Sequence, residues 1–232
     1  MRLDKSSQLP ACVGVDFGRF IRNISITHWD IQRVGQGVLL TGTGSSLPAE
    51  NITVRHIVCQ DLDGPQILAA RDITHLIVED FRGEDHTTNG GVGVRFRNTV
   101  GTVNNLFIKN LQGTNFPLQI DGDSDVELTD VVVENAGRSV LQIGGEPTQA
   151  LQNTRVKLDS FAFRNVGNTA GLPVARIKSE GYVEMVHGEI SEVGIVPYTL
   201  SLYTDVFFDN CVLESGQQAV LTPGLSGVAI GL

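Results

Sequence analysis

Nowhere does this 232-residue chain carry about 18 consecutive apolar residues, the least that a membrane-spanning helix needs. Basic residues are also few: 17 Lys and Arg stand against 26 Asp and Glu, for a formal charge of −9. They are scattered, so the chain lacks the basic patch that nucleic acid or an anionic membrane would require. Only three cysteines occur, Cys12, Cys59 and Cys211, at spacings that fit neither a disulfide framework nor a zinc site. They read as small core residues. Aromatic residues make up 6% of the chain, too few to line a long sugar-stacking groove. The start, Met1-Arg2-Leu3-Asp4-Lys5-Ser6-Ser7, has no apolar centre of a secretory signal, and a soluble chain that does not direct its own export is expected.

What the sequence does contain is a short spacing repeated from end to end. In Asn51-Ile52-Thr53-Val54-Arg55-His56-Ile57-Val58-Cys59-Gln60-Asp61-Leu62 the inward positions are Ile52, Val54, Ile57, Cys59 and Leu62. Alternation broken by two-residue corners is a pattern of short strands, not of a helix. Seven further copies begin at Ile24, Arg71, Gly101, Val126, Val156, Val183 and Val206, and all but four inward positions are apolar. The last positions of the copies advance by about 26 residues, a solenoid period. After each copy come a loop and one more short alternating strand, such as Leu118-Gln119-Ile120 or Leu141-Gln142-Ile143. Three strands per turn predict an all-β parallel β-helix of about eight coils over residues 23–232, with a short N-terminal cap over residues 1–22.

On these motifs, Asn23-Ile24-Ser25-Ile26 and Asn51-Ile52-Thr53-Val54 above all, the chain resembles the right-handed parallel β-helix family of pectate lyase-like enzymes and phage tail spikes. The resemblance covers roughly residues 22–221 and concerns architecture. It implies a ladder of stacked asparagines at one corner, a ligand groove along one sheet, and side-by-side trimers.

Several residues invite a chemical reading. His28, His56 and His75 fall in one corner slot of three successive copies, and Asp61 and Asp80 in the other. Stacked carboxylates could serve a retaining glycosidase, which needs about 5 Å between them. Both slots later hold Asn and Ser, however, and Asn, Asp and His are the non-glycine residues that best tolerate a left-handed corner. Glu84, Asp85 and His86 form a second weak catalytic candidate, read as part of a polar loop at residues 82–91. Asp121, Asp123 and Asp125 begin like a calcium loop, but Val126 and Val132 stand where its glycine and glutamate belong. A solvated turn and no cofactor are expected, calcium at those three carboxylates being the alternative.

Two outward columns complete the reading. Arg95, Gln119, Gln142, Arg176 and Ser201 line the third strand of successive coils as a candidate ligand groove. Val58, Ile77, Phe107, Val132 and Ala162 form an apolar stripe on a face that water should meet, which marks a surface packed against something. A homotrimer is the expectation. The implied function is a structural or adhesive β-helix protein of a virion, tail spike- or tail fibre-like, that presents a face to a cell-surface glycan or receptor. The alternative is a polysaccharide lyase or glycoside hydrolase, and a bacterial cell-surface solenoid is the alternative location.

Overall fold

Asparagine, aspartate and histidine shape this molecule by bending it. In the computed structural model, which describes residues 2–4, 13–18, 21–42, 48–64, 66–87, 92–112, 116–145, 150–166, 174–193, 200–202, 206–213 and 229–230, a left-handed backbone recurs at non-glycine corners. Eight of these corner residues are Asn, five Asp and four His, with only Arg33, Ser160 and Glu192 besides. Within one long strand such as Arg22–Gln32 the chain turns at His28 (φ 59°) and then runs straight again. Each turn keeps the next alternation facing inward, so a single strand wraps two sides of a tube.

The described residues contain strands and no helix, and the pairings between coils are parallel. One inward column runs Ile24, Ile52, Leu76, Gly101, Val126, Val156, Val183, Val206, every neighbour in register. The fold is therefore a parallel β-helix. Its regular part makes about six turns rather than the eight expected. The last two copies still pair in register but only as strands of two to four residues. At the N-terminus, Arg2–Asp4 pairs with Asp30–Gln32 and Val13–Gly18 with Gln36–Thr41. At the other end Ala229–Ile230 pairs with Phe207–Phe208; Cys12 and the rest of residues 214–232 lie outside the described residues.

Columns of Val, Ile, Leu and Phe fill the tube, Phe81, Phe96 and Phe163 being its largest fully buried side chains. Cys59 is one of these fillers, its thiol pushed up by burial beyond any reactive range. Gly101 interrupts its column because a Cβ there would sit 2.3 Å from the carbonyl oxygen of Leu76.

The third coil departs from the register read off the sequence. Ile52, Val54, Ile57 and Cys59 pair with Leu76, Val78, Phe81 and Gly83, and not with Arg71, Ile73, Leu76 and Val78, one pentapeptide back. Residues Leu68–Thr87 form one unbroken strand of 20 residues, so this coil has no loop between its third-sheet strand and its next copy. A slip of five residues keeps the alternation of inward and outward side chains but moves each residue to a new column, leaving Arg71 outside and His86 inside.

Candidate functional site

That slip redistributes the residues with chemical promise. Asp61 does not stack on Asp80. Gln60 pairs with Glu84, which places Asp61 beside Asp85, whereas Asp80 lies in the coil-to-coil column of His56, whose Nδ1 is 2.9 Å from an Asp80 carboxylate oxygen. The carboxylate pair of a retaining glycosidase is not formed by those two residues. His75 leaves its expected column as well: Thr74 and Leu76 pair with Glu50 and Ile52, so its neighbour is Asn51. His28 and His56 do stack, with ring centroids 4.6 Å apart. A further corner histidine, His187, bonds through Nδ1 to Asp159 at 2.9 Å, and this bond lowers the Asp159 carboxyl below its usual range.

The second corner column carries the asparagine ladder. Asn165 donates to Asn135, Asn135 to Asn110 and Asn110 to Asp85, each bond 2.7 Å long. Asn105 likewise donates to Asp80 at 2.7 Å. These corners hold a strained backbone and pass one hydrogen bond per coil along the axis. Replacing Asn135 by Ala should cost about 1–3 kcal/mol, the left-handed penalty added to a lost bond. Asn135→Gly should cost less, since glycine has no Cβ penalty. Urea unfolding of both variants checks the order, and a ligand-binding asparagine would show no such preference.

Glu84, Asp85 and His86 are not in a projecting loop. They are the last turn of the strand Leu68–Thr87, and the residues 88–91 of the expected loop lie outside the described residues. Glu84 faces outward, accepting from Gln60 at 3.1 Å and pairing with Arg82. Asp85 is a corner, φ 52°. His86 points into the core, fully buried, in the column of Leu111. Alternation alone assigns these three directions once the segment is a strand.

Asp121 is committed elsewhere than to a cation. It is buried, paired with Arg95 and accepting from Gln119 at 3.0 Å, while Asp123 and Asp125 are exposed. Ser124 and Gly122 shape the turn, Ser124 Oγ donating to the Asp121 carbonyl at 2.6 Å. Among the described residues no group of three or more His, Cys, Asp or Glu is arranged to hold a metal.

The third-sheet column Arg95, Gln119, Gln142, Arg176, Ser201 is in the expected register. It is not an open groove at its centre. Gln119 is 8% and Gln142 1% exposed, and Gln142 Nε2 bonds along its own strand to the Gly144 carbonyl. The Arg176 guanidinium lies 5.3 Å above the Phe116 ring; the Ser201 side chain is outside the described residues.

The apolar stripe is shorter than expected. Val58 pairs with Arg82 and Arg82 with Phe107, so Arg82 takes the place given to Ile77, which belongs to a different outward column, beside Thr53. Arg82 lays its guanidinium 4.6 Å over the Phe107 ring. Phe107, Val132 and Ala162 remain contiguous and half-buried. Beside them runs a column of Glu84, Lys109, Glu134, Arg164 and Ser191. Lys109 and Arg164 both reach Glu134, at 3.5 and 3.7 Å, and Arg164 also pairs with Glu189.

One concavity has no counterpart in the sequence reading. A cleft of about 440 Å³ is lined by Asp125, Glu127, Asn153, Arg155, Lys157, Glu180, Tyr182 and Glu184 from three coils.

No known family, curated protein or solved structure matches the chain.

The fold thus stands on the strand pairings alone. Those pairings explain why this cleft escaped the sequence: outward polar residues look alike until the coils are stacked. The one cue available was Tyr182, 60% exposed in a chain poor in aromatics.

Proposed function

We propose that this chain is a structural and adhesive β-helix protein, of the kind built into virion tail spikes and fibres, which self-associates as a homotrimer and presents a face to a cell-surface glycan or receptor. The observation that carries this is the stripe Phe107, Val132, Ala162 alongside the acidic and basic side chains of Glu84, Lys109, Glu134 and Arg164. An apolar column on an otherwise polar sheet suits burial against another surface. Charges of both signs beside it suit a complementary face on a neighbouring copy. A rigid tube whose corners are bonded coil to coil is well made for bearing load and display. The polar residues that first suggested catalysis, Asp61, Asp80, Glu84, Asp85 and His86, are accounted for as corners, a surface ion pair and a core filler, which favours display over turnover. Other virion proteins are the partners this reading implies at the ends of the tube.

Mass in solution tests the assembly. Three times 25.0 kDa is expected at micromolar concentration, and Phe107→Asp is expected to return the monomer with its circular dichroism unchanged. A wild-type monomer would remove the interface. Incubation with bacterial polysaccharides tests the function itself: new reducing ends or unsaturated products would make the chain a degrading enzyme and overturn the adhesive reading.

A further inference from the structure

The cleft gathers carboxylates that take no part in the ion pairs between coils. Several acids and bases elsewhere are paired across coils: Arg22 with Glu50, Arg55 with Glu79, Lys109 with Glu134, Arg164 with Glu189. In the cleft, among the described residues, no ion pair or side-chain hydrogen bond engages Glu127, Glu180, Tyr182 or Glu184. Uncommitted carboxylates around a hollow are free to meet something from outside.

The register fixes what they surround. Asp125 pairs with Arg155, and Glu127 with Lys157, which in turn pairs with Glu184. Both cations therefore lie on the middle strand, each with a carboxylate residue beside it in the adjacent coil. Four carboxylates stand against these two cations, so the hollow carries excess negative charge. Tyr182, which stands between Glu180 and Glu184 in the chain, lines the cleft and is exposed, and Phe207, 38% exposed, follows Glu184 in the next coil. An aromatic face flanked by carboxylates attracts a protonated amine through the ring quadrupole and through charge. The same ring offers an apolar platform, and Asn153 a donor and acceptor, to the rest of a flat polar ligand.

The geometry points to this cleft, rather than the third-sheet column, as the glycan-binding site of the protein, and to saccharides bearing a free amino group as its ligands. The excess of carboxylates over Arg155 and Lys157 disfavours uronic acids. The inference rests on the adhesive reading above and specifies its face and its ligand class.

Titration calorimetry with a β-1,4-linked glucosamine tetramer tests it, with the N-acetylated tetramer and oligogalacturonate as comparisons. The glucosamine tetramer is expected to bind, the acetylated one more weakly and oligogalacturonate not at all. Tyr182→Ala should weaken binding about fivefold to tenfold. Glu184→Gln should narrow the preference for the free amine, and Lys157→Gln should strengthen binding. All three positions are at the surface, so the variants should fold and assemble as the parent does. Binding unaffected by Tyr182→Ala and Glu184→Gln, no binding of the tetramer, or a lysine tetrapeptide binding as tightly, would each overturn the assignment. If the trimer forms and another glycan binds while the cleft variants change nothing, the cleft is wrong and the adhesive reading stands. A monomer that binds none of these saccharides would sink both.

Discussion

His86→Leu is expected to stabilise the protein by about 1 kcal/mol at pH 8, and by more at pH 5. His86 occupies an inward slot where the following coil has Leu111, and it is fully buried. Its Nε2 bonds to the Gly64 carbonyl, but its Nδ1 has no partner among the described residues. An unsatisfied buried polar atom costs about 1–3 kcal/mol, and leucine removes it at the expense of one modest hydrogen bond. The pH dependence follows from burial, which lowers the imidazole pKa; the Gly64 carbonyl and Asp63 oppose this more weakly. The folded protein therefore binds fewer protons than the unfolded chain as the pH falls from about 6.5, the ordinary histidine value, toward the lowered pKa of the buried ring. Stability present above that pH is lost as pH falls, by about 1.4 kcal/mol per unit while the buried ring stays neutral. Urea unfolding at pH 8, 6 and 5 reads the difference. Parallel pH slopes for the parent and His86→Leu would show that this histidine does not govern the acid limb.

The same residue shows why the sequence was legible only in part. Strand, corner and inward face were readable because they depend on spacing within a dozen residues: Asn51, His56 and Asp61 are five apart, and all three are left-handed corners. The ladder of Asn110, Asn135 and Asn165 was readable for the same reason. Stacking of one coil on the next was harder to read, since a pentapeptide pattern matches itself after a shift of five. Choosing Arg71 and Ile73 over Gly83 and His86 in the third copy favoured an apolar residue over a histidine. The fold favours the unbroken strand Leu68–Thr87, with Arg71 exposed and His86 enclosed. From that one shift follow the broken carboxylate pair, the Arg82 interruption of the stripe and the inward turn of a supposed catalytic histidine. The cleft was beyond reach, because Glu127, Lys157 and Glu184 become neighbours only when three coils are in place.

Gly188→Ala is expected to cost about 3 kcal/mol, and Phe161→Leu to restore most of it. By spacing Gly188 looks like a defect in an apolar column. The structure gives it a purpose: a Cβ at that position would lie 2.2 Å from two carbons of the Phe161 ring in the coil before. Phe161 is 3% exposed and its ring centroid is 5.0 Å from that of Phe163, so it cannot move aside without disturbing a second large side chain. Overpacking of this kind costs about 1–3 kcal/mol and sometimes more. The backbone itself holds Gly188 in place, its carbonyl accepting from Val212 N–H at 2.8 Å. Phe161→Leu alone should also destabilise, because it leaves space in a packed column. Combined with Gly188→Ala that space receives the methyl, and the two costs should fail to add by about 1–3 kcal/mol. Simple additivity in the double-mutant cycle would mean that the methyl finds room without the ring, and the glycine would then need another explanation.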